Sequence, residues 1–534
     1  MAALEERLFA SGLPVAALME KAALALCRRL RARLHPGPDR GGESLRWAAS
    51  AGVLVLVGPG HNGGDGLVVA RELHLVGIPV RLWSPFQRYR PLTEGHLGHA
   101  RWLGIPLLES PPDPADGALW VDALFGIGQN RPPAEALQAL LEERQRRRPG
   151  HLVAVDGPTG LCYDSGRLLG WGGATAALTW SIGLLKRGFL QDRALARVGR
   201  LERLELGLPA SLLRDLPPHT PCALGAADAS ALSWPALDPA AAKYGRGRLL
   251  VVAGSRRYRG AAALALAGAS ASGCGSLRAA LPQELADALW LQQPQVVLEA
   301  CLESDSRGEL LLEPLAELDL GRLDALLLGP GLGRAEPGNP GREERAWQAL
   351  AAFAGLLVLD ADGLNRLAGC PEGGQEWLRN RQGPTWITPH RGEHDRLFPD
   401  LASLEPLEAA AQAAQASGAV VLLKGARSVV AAPDGRRWQL REAAPEAARA
   451  GLGDTLAGYL AGRGAMAVAA LAGPRSGEAL EPMAHLLAHG ALLHALAGLR
   501  LRTGRGPGAI TPQAVAEALA QGVDGRGGSV GDEV

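Results

Sequence analysis

Oxygen-bearing side chains recur in the first half of the chain where apolar runs end. Asn62 and Asp65 lie in GPGHNGGDG (58–66), Asp122 lies in VDALFG, and Asp156 lies in VDGPTG. Such oxygens can bind a cation, and a glycine-rich turn before a helix lets backbone amides approach an anionic group. Taken singly, Asp156 could instead cap the following helix. The set as a whole favours a ligand or cation site.

A second candidate site follows from GLGDTLAG (451–458), a glycine turn that leads into a helix. Gly451 and Gly453 would leave backbone amides free for a phosphate at the helix N-terminus. Asp454 could accept the proton of a hydroxyl that attacks a phosphoryl group. It could equally cap a helix that begins near Thr455, and this motif alone does not decide between the two interpretations.

The elements that would position both sites are apolar runs that alternate with helical patterns. In the first half these runs are GVLVLVGPG (52–60), PVRLW (79–83), ALWVDALFG (118–126) and HLVAVDGPTG (151–160), with the helical LVVARELHLVG (67–77) after the first. In the second half they are RLLVVAGS (248–255), DALLLGPGLGR (324–334), LLVLDADGLN (356–365), TWITPHRGEH (385–394) and AVVLLKGARSVV (419–430). This alternation predicts an α/β fold, whose sites lie beyond the carboxyl ends of the strands.

The length of 534 residues predicts at least two domains. The periodic pattern dissolves over residues 207–242, where repeated Pro, Ser and Ala predict an irregular connection. We therefore expect domains over residues 1–215 and 225–520. The tail after Gly522 is expected to be disordered.

The composition argues against several function classes. Lys plus Arg equals Asp plus Glu at 55 each, which does not favour a nucleic-acid partner. The basic run from Arg144 to Arg148 is interpreted as a solvated helix end. No apolar run reaches the roughly 20 residues that span a bilayer, so no membrane partner is expected. The six cysteines are scattered, which is typical of a reducing compartment, and a cytoplasmic location is predicted.

Lysine is scarce, since the chain has only Lys21, Lys186, Lys243 and Lys424 among its many arginines. The background therefore favours arginine wherever any cation will serve. A lysine that is kept is more often than usual one whose compact ammonium group is chemically required.

The motifs of the first half, together with GLPVAALMEKA (12–22), resemble the epimerase domain of the NAD(P)H-hydrate repair enzymes over roughly residues 1–215. VDALFGIGQNRP (121–132) and VDGPTGL (155–161) are its most specific parts. The resemblance implies a Rossmann-like three-layer domain with a catalytic, substrate-contacting Asp156. The other residues that would bind the hydrated cofactor are His61, Asn62, Gly63, Gly64, Asp65, Gly126, Ile127, Gly128, Gln129, Asn130, Arg131 and Pro132.

The same resemblance implies a potassium ion bound by Asn62, Asp122 and Thr159. His61 and Thr159 depart from the family, which usually has Asn and Ser at these positions. Lys186, in GLLKRG (183–188), fits a lysine of the family pattern, and its role could be structural or functional.

The second half resembles the ribokinase-like dehydratase domain of the same enzymes over roughly residues 225–520. The motifs are GSRRYRGAA (254–262), GPGLGR (329–334), LDADGLN (359–365), TPHRGE (388–393), KGARS (424–428) and GLGD, and KYGRG with Lys243 matches the family's opening motif. By resemblance, Ala261, Gly333, His390 and Asp454 would line the hydrated-cofactor site, with Asp454 as the base. Lys424, Gly425, Ala426, Arg427, Ser428 and Gly453 would bind ADP or ATP, with Mg²⁺ as a cofactor. The segment before GLGD is atypical, and Arg449 stands where a small hydroxyl residue is usual.

The function implied is repair of hydrated NADH and NADPH. The first domain would interconvert the R and S hydrates, and the second would dehydrate the S-hydrate at the expense of ADP or ATP. An oligomeric enzyme is implied as well. The alternatives are a ribokinase-type small-molecule kinase, which would keep phosphate on its product, and a non-catalytic N-terminal binding module. The pairs His390/His394 and His485/His489 have zinc-site spacing, but helix-face or core positions are the favoured interpretation.

Overall fold

The computed structural model describes residues 1–34, 47–231, 234, 239–334, 343–442, 444–471 and 483–522. The chain forms two compact units, Met1–Pro217 and Pro218–Val534. The boundary between them falls within the segment predicted as a connection. The tail after Gly522 lies outside the described residues.

The first unit is built on a seven-stranded sheet whose paired strands all run parallel. Its strands are β1 (Val53–Val57), β2 (Val80–Trp83), β3 (Leu107–Leu108), β4 (Leu119–Ala123), β5 (Leu152–Val155), β6 (Leu178–Ile182) and β7 (Arg200–Leu204). Its helices are α1 (Ala2–Ala10), α2 (Val15–Leu34), α3 (His61–Leu75), α4 (Pro91–Trp102), α5 (Glu135–Arg147), α6 (Leu195–Val198) and α7 (Ala210–Arg214). The strand order is β3-β2-β1-β4-β5-β6-β7.

The apolar alternation along β1 explains the layers of this unit. Val53, Val55 and Val57 pack on one face of the sheet in a core that includes residues of α2, α3 and α4. Leu54 and Leu56 pack on the other face with residues of α5. Because successive side chains of a strand point to opposite faces, a fully apolar strand must be covered on both sides. The predicted three-layer α/β domain is confirmed.

Helix α3 begins at His61, six residues earlier than the helical pattern predicted. The last six of the nine residues of the glycine-rich motif (58–66) therefore belong to the helix. The glycines are required by close packing, since a Cβ atom on Gly63 would lie 2.0 Å from the carbonyl oxygen of Gly58. A Cβ atom on Gly58 would lie 1.6 Å from the carbonyl oxygen of Leu124, where the chain leaves β4. The strand order reverses between β1 and β4, and at this point an open α/β sheet forms its binding crevice.

The interpretation of the basic run as a solvated helix end is wrong for Arg144. Its guanidinium is buried and donates hydrogen bonds to the carbonyl oxygens of Asp116 and Ala118 at 2.6 Å each. It also lies 4.5 Å from the centre of the Trp120 ring. The charge pattern could not show this, because the carbonyl groups that bind Arg144 come from a loop far away in the sequence.

The second unit is built on a ten-stranded sheet. Its strands are β8 (Cys222–Leu224), β9 (Arg248–Val252), β10 (Ser276–Pro282), β11 (Val297–Leu302), β12 (Ala325–Leu328), β13 (Leu356–Leu359), β14 (Thr385–Ile387), β15 (Val420–Leu423), β16 (Val429–Ala431) and β17 (Arg437–Leu440). Its helices are α8 (Arg259–Ala271), α9 (Gln283–Gln292), α10 (Glu344–Ala352), α11 (Ala361–Leu367), α12 (Gly374–Asn380), α13 (Arg391–Leu397), α14 (Pro406–Ser417), α15 (Leu452–Leu471), α16 (Ala484–Arg505) and α17 (Pro512–Ala520). The order is β11-β10-β9-β12-β13-β14-β15-β16-β17-β8.

Strands β9 to β15 run parallel to one another, and β16 is antiparallel to both β15 and β17. Leu249 and Val251 of β9 pack with α8, α15 and α16, and Leu250 and Val252 pack on the other face with α10 to α14. The predicted α/β class is therefore confirmed for this unit as well. The order reverses between β9 and β12, which places a second crevice there.

Strand β8 lies in the segment that the sequence predicts as an irregular connection. It pairs with β17 through Cys222, Ala223 and Leu224. Three residues are too few to show a strand period, so only the partner strand reveals this element. Among the described residues, no helix is both long and apolar enough to cross a membrane.

Candidate active sites

The first site is built around Asp122, which is fully buried in β4. Its carboxylate accepts hydrogen bonds from the backbone N–H and from the hydroxyl group of Thr159, each at 2.8 Å. Burial raises the pKa of Asp122 to about 6, although these hydrogen bonds and one from Leu124 oppose the rise. The pair ties the end of β4 to the loop after β5.

Asn62 lies in the first turn of α3 and is 7% exposed. Its amide nitrogen donates to the carbonyl oxygen of Phe125 at 3.0 Å. Its side-chain oxygen is buried and has no hydrogen-bond partner among the described residues. Leaving such an acceptor unsatisfied costs about 1–3 kcal/mol. A bound cation would satisfy this oxygen, so the donor set fits the predicted potassium site.

Asp156 follows β5 with a φ angle of +64°, a left-handed backbone conformation that is uncommon outside glycine but that aspartate adopts more readily than most residues. Its carboxylate forms an ion pair with the ammonium group of Lys186, and both side chains are buried. The ammonium group also donates to the carbonyl oxygen of Ile182 at 2.9 Å. Lys186, whose role the sequence leaves open, therefore contacts the predicted catalytic carboxylate.

The loop after β4 closes over Asp156 at Gly126. A Cβ atom on Gly126 would lie 3.4 Å from a carboxylate oxygen of Asp156 and 3.4 Å from the Cβ of Asn62. The structure thus brings Asn62, Gly126 and Asp156 together at one edge of the sheet, as the sequence predicts.

Two further carboxyl groups, those of Asp65 and Glu5, interact electrostatically with Asp156. Burial, and then repulsion by Asp156 and Glu5, raises the pKa of Asp65 well above its ordinary value. Burial, and then Asp156, raises the pKa of Glu5, which lies on α1. The raised pKa values of Asp65 and Glu5 favour a retained proton on these carboxyl groups. Glu5 could not be predicted from the sequence, because nothing there distinguishes it from the exposed Glu6 beside it.

The other residues predicted to bind the hydrated cofactor divide into three groups. Gly63 and Gly64 are buried and pack against the protein itself. Gln129 holds the loop after β5, because its side chain donates to Leu161 and accepts from the N–H of Gly160. The residues left at the surface are Ile127, Gly128, Asn130, Arg131 and Pro132.

His61 is half-buried at the start of α3. Burial lowers its pKa, and the charge of Arg90 lowers it further. A neutral imidazole therefore stands at the position where the family usually has an amide.

The second site centres on Asp454, in the first turn of α15. The helix begins at Leu452, so Asp454 is not its cap, and the capping interpretation is wrong. Burial raises the pKa of Asp454 to about 7, with a further rise from Asp360 and an opposing effect of Lys424. A carboxylate with a pKa near neutrality is well matched to accept a proton at physiological pH.

Lys424 follows β15 and joins three strand ends. Its ammonium group lies 2.6 Å from a carboxylate oxygen of Asp360, which also accepts from the Thr388 hydroxyl at 2.8 Å. The backbone N–H of Lys424 donates to the carbonyl oxygen of Pro389 at 2.8 Å. A Cβ atom on Gly453 would lie 3.5 Å from the ammonium nitrogen. Asp360 belongs to a recognised motif, but the sequence alone gave it no role.

His390 caps α13 rather than presenting a free imidazole. Its Nδ1 accepts from the backbone N–H of Gly392 at 2.9 Å, so the ring proton lies on Nε2. Nε2 lies 3.1 Å from one carboxylate oxygen of Glu393, and the other accepts from the His390 N–H at 2.8 Å. Both ring nitrogens are engaged, which leaves the exposed ring face for a ligand. Glu393, which the sequence analysis did not single out, has a pKa raised to about 7 by burial.

Ala261 and Gly333 lie on either side of the crevice between β9 and β12. A Cβ atom on Gly331 would lie 2.6 Å from the Cβ of Ala261, so the loop after β12 is in close contact with the first turn of α8. The remaining predicted nucleotide-binding residues, Gly425, Ala426, Arg427 and Ser428, form the turn between β15 and β16.

The histidine pairs do not form metal sites. His394 is fully buried in α13 beside Asp395. His489 is buried as well, and its Nε2 donates a hydrogen bond to the carbonyl oxygen of Ala229. In the described part of the chain, no three His, Cys, Asp or Glu side chains are placed to hold a metal ion.

Two α/β units, each with carboxylate and lysine side chains gathered at its strand ends, define a two-domain enzyme. Residues 249–521 match the family model described as NAD(P)H-hydrate dehydratase. Residues 15–188 match that described as YjeF-related protein N-terminus. The chain is 43% identical over 461 residues to the bifunctional NAD(P)H-hydrate repair enzyme of Gloeobacter violaceus, covering 86% of each chain. It is 39% identical over 464 residues to that of Synechocystis, covering 86% of this chain and 84% of the relative.

The chain therefore belongs to the bifunctional NAD(P)H-hydrate repair enzymes. The predicted resemblance is confirmed, and a small-molecule kinase with a separate binding module is not favoured. Among solved structures, the ADP/ATP-dependent NAD(P)H-hydrate dehydratase from Bacillus subtilis is 22% identical, with a TM-score of 0.45, and the match covers 57% of this chain and 98% of that chain.

Proposed function

We propose that the first unit interconverts the R and S hydrates of NADH and NADPH, and that the second dehydrates the S-hydrate at the expense of ADP or ATP. The observation that supports this best is the pair of buried clusters, Asp156 with Lys186 and Asp454 with Lys424 and Asp360. Each cluster can hold or accept a proton beside a strand-end crevice. A chain with both activities would leave neither epimer unrepaired.

Epimerisation requires the hydroxyl group of the hydrate to leave and to return on the other face of the ring. A protonated carboxyl group of the Asp156 cluster would donate its proton to the departing hydroxyl, which leaves as water. When water adds to the opposite face of the resulting cation, the carboxylate takes the proton back. Lys186 would hold Asp156 in place through their buried ion pair.

Potassium would be bound in the first unit by Asn62, Asp122 and Thr159. The buried, unpartnered oxygen of Asn62 supports this proposal. When bound, the ion would supply positive charge at the crevice for the oxygen atoms of the substrate. The Asp122–Thr159 pair would orient the hydroxyl ligand before the ion arrives.

Replacing Asn62 with leucine is expected to lower the epimerisation rate on the order of 10–100-fold and to abolish its dependence on potassium. The side chain keeps its shape but loses the oxygen that lacks a protein partner. The measurement is the rate of R-to-S conversion over a potassium titration, with Asn380→Leu, on the α12 surface of the second unit, as the control. A variant that still responds to potassium like the wild type would contradict the assignment of Asn62.

In the second unit, Asp454 would accept the proton of the S-hydrate hydroxyl as its oxygen attacks the terminal phosphoryl group of the nucleotide. Phosphate then leaves together with a ring proton, and the reduced nicotinamide is restored. Gly453, Lys424 and the 425–428 turn would bind the nucleotide. Mg²⁺ would arrive with its phosphates and neutralise their charge.

Replacing Lys424 with methionine is expected to move the acidic limb of the dehydration pH profile to higher pH. The charge of Lys424 lowers the pKa of Asp454, so its loss makes the base harder to ionise. The measurement is kcat/KM for the S-hydrate from pH 5 to 9. The control, Arg379→Met, removes an exposed cation from helix α12. A shift to lower pH, or none, would show that Lys424 does not set the ionisation of Asp454.

The experiment that tests the whole proposal is recovery of nicotinamide absorbance from a mixture of R and S hydrates, with Mg²⁺, K⁺ and either ADP or ATP. Full recovery supports both activities. Recovery of the S fraction alone would leave only the dehydratase, and no recovery with either nucleotide would refute the proposal. We also propose a cytoplasmic location, which the six unpaired cysteines support. Homo-oligomerisation stays a prediction that light scattering would test.

A further inference from the structure

Helix α11 holds the loop after β12 at two points. The backbone N–H of Gly333 donates to Oδ2 of Asp362 at 2.9 Å. The carbonyl oxygen of Gly333 accepts from Nε of Arg366 at 2.8 Å. Asp362 and Arg366 are four residues apart and therefore lie on the same face of the helix. The backbone N–H and the carbonyl oxygen of Gly333 are thus both bound by side chains from one turn of α11.

Arg366 also contacts three residues other than Gly333. Its guanidinium group also donates to the carbonyl oxygens of Leu332 at 3.1 Å and Leu310 at 2.9 Å, and it pairs with Glu343. The side chain is only 2% exposed. Gly331 and Gly333 adopt φ angles of +66° and +80°, so the loop has an irregular backbone with no helix or strand of its own to hold it.

Asp360, the partner of Lys424, is the N-cap residue of the same helix. Its first residue, Ala361, has a φ angle of +47°, which is uncommon for alanine. One short helix therefore carries both the carboxylate that pairs with Lys424 and the two side chains that hold Gly333.

We propose that Arg366 and Asp362 are positioning residues that clamp the Gly333 loop in the conformation that binds the hydrated cofactor. The inference rests on the proposed function, because Gly333 is assigned to the hydrate through it. The clamp acts on the hydrate alone, since Lys424 and Gly453 keep their own contacts. Loss of the clamp should therefore weaken binding of the hydrated cofactor and leave binding of the nucleotide unchanged.

The test compares Arg366→Met with Arg381→Met. Arg381 is a matched buried arginine of the same unit that donates to the carbonyl oxygens of Phe353, Gly355 and Pro384. Gly355 and Pro384 precede β13 and β14, so Arg381 serves the opposite edge of the sheet. We expect Arg366→Met to lower kcat/KM for the S-hydrate on the order of tenfold or more through KM, with an unchanged KM for ADP. Arg381→Met should lower Tm without raising the KM for the S-hydrate relative to the KM for ADP.

A second pair of variants keeps the test valid if Arg366→Met does not fold. Asp362→Asn and Asp362→Ala both remove the charge, but only the asparagine keeps an oxygen that can accept from the Gly333 N–H. The clamp predicts a higher KM for the hydrate in Asp362→Ala than in Asp362→Asn. The clamp would be overturned if, with an active wild type, the KM for the hydrate were equal in Arg366→Met and Arg381→Met and also equal in Asp362→Ala and Asp362→Asn. An inactive wild type would instead overturn the proposed function.

Discussion

Replacing Asp454 with asparagine is expected to lower the rate of S-hydrate dehydration by about 10²–10⁴-fold and to leave epimerisation intact. The asparagine amide fits the same space but cannot accept the hydroxyl proton. Burial raises the pKa of Asp454 to about 7, so the wild-type rate should also fall as the pH drops through that value. The measurement is single-turnover recovery of nicotinamide absorbance from the pure S-hydrate.

The matched control is Asp434→Asn, which changes an exposed aspartate in the turn between β16 and β17 that pairs with Arg436. Its rate should equal that of the wild type. If Asp454→Asn kept a rate within tenfold of the wild type, Asp454 could not be the base. Since Asp360 and Glu393 are the other carboxyl groups near Lys424, they would become the next candidates.

Replacing Asp156 with asparagine is expected to lower epimerisation by about 10²–10⁴-fold while dehydration of the S-hydrate continues. A mixture of the two hydrates would then be recovered only as far as its S fraction. The change leaves the buried Lys186 ammonium without its partner, which is strongly destabilising, by about 3–5 kcal/mol in comparable pairs. The measurement is therefore the extent of recovery, together with Tm.

Asp164→Asn is the matched control, because Asp164 is exposed and pairs with Arg187 in the same unit. The double variant Asp156→Asn with Lys186→Met removes both charges and should fold more stably while remaining inactive as an epimerase. Full recovery of the R-hydrate by folded Asp156→Asn would show that Asp156 is not required. If Asp156→Asn also recovered the R-hydrate at the same rate as the wild type, this result would support the alternative in which the first unit is a non-catalytic binding module.

The sequence by itself determined the α/β class and the main strands of both units. Runs such as GVLVLV and LLVLD contain their own signal, since a continuous apolar stretch of strand length must be buried on both faces. The glycine motifs, with Asn62, Asp122, Asp156 and Asp454, were also recognisable. Parallel strands bring their carboxyl ends to one edge, so the order of motifs along the chain is enough to gather these residues.

Only the tertiary structure decided which charges meet. Lys186 pairs with Asp156 across 30 residues of chain, and Lys424 pairs with Asp360 across 64. The unpartnered oxygen of Asn62, the buried Arg144 and the clamp made by Arg366 depend on distant backbone groups in the same way. Periodicity reports the local burial of a segment, whereas ion pairs and pKa shifts depend on distances between segments that the fold alone sets.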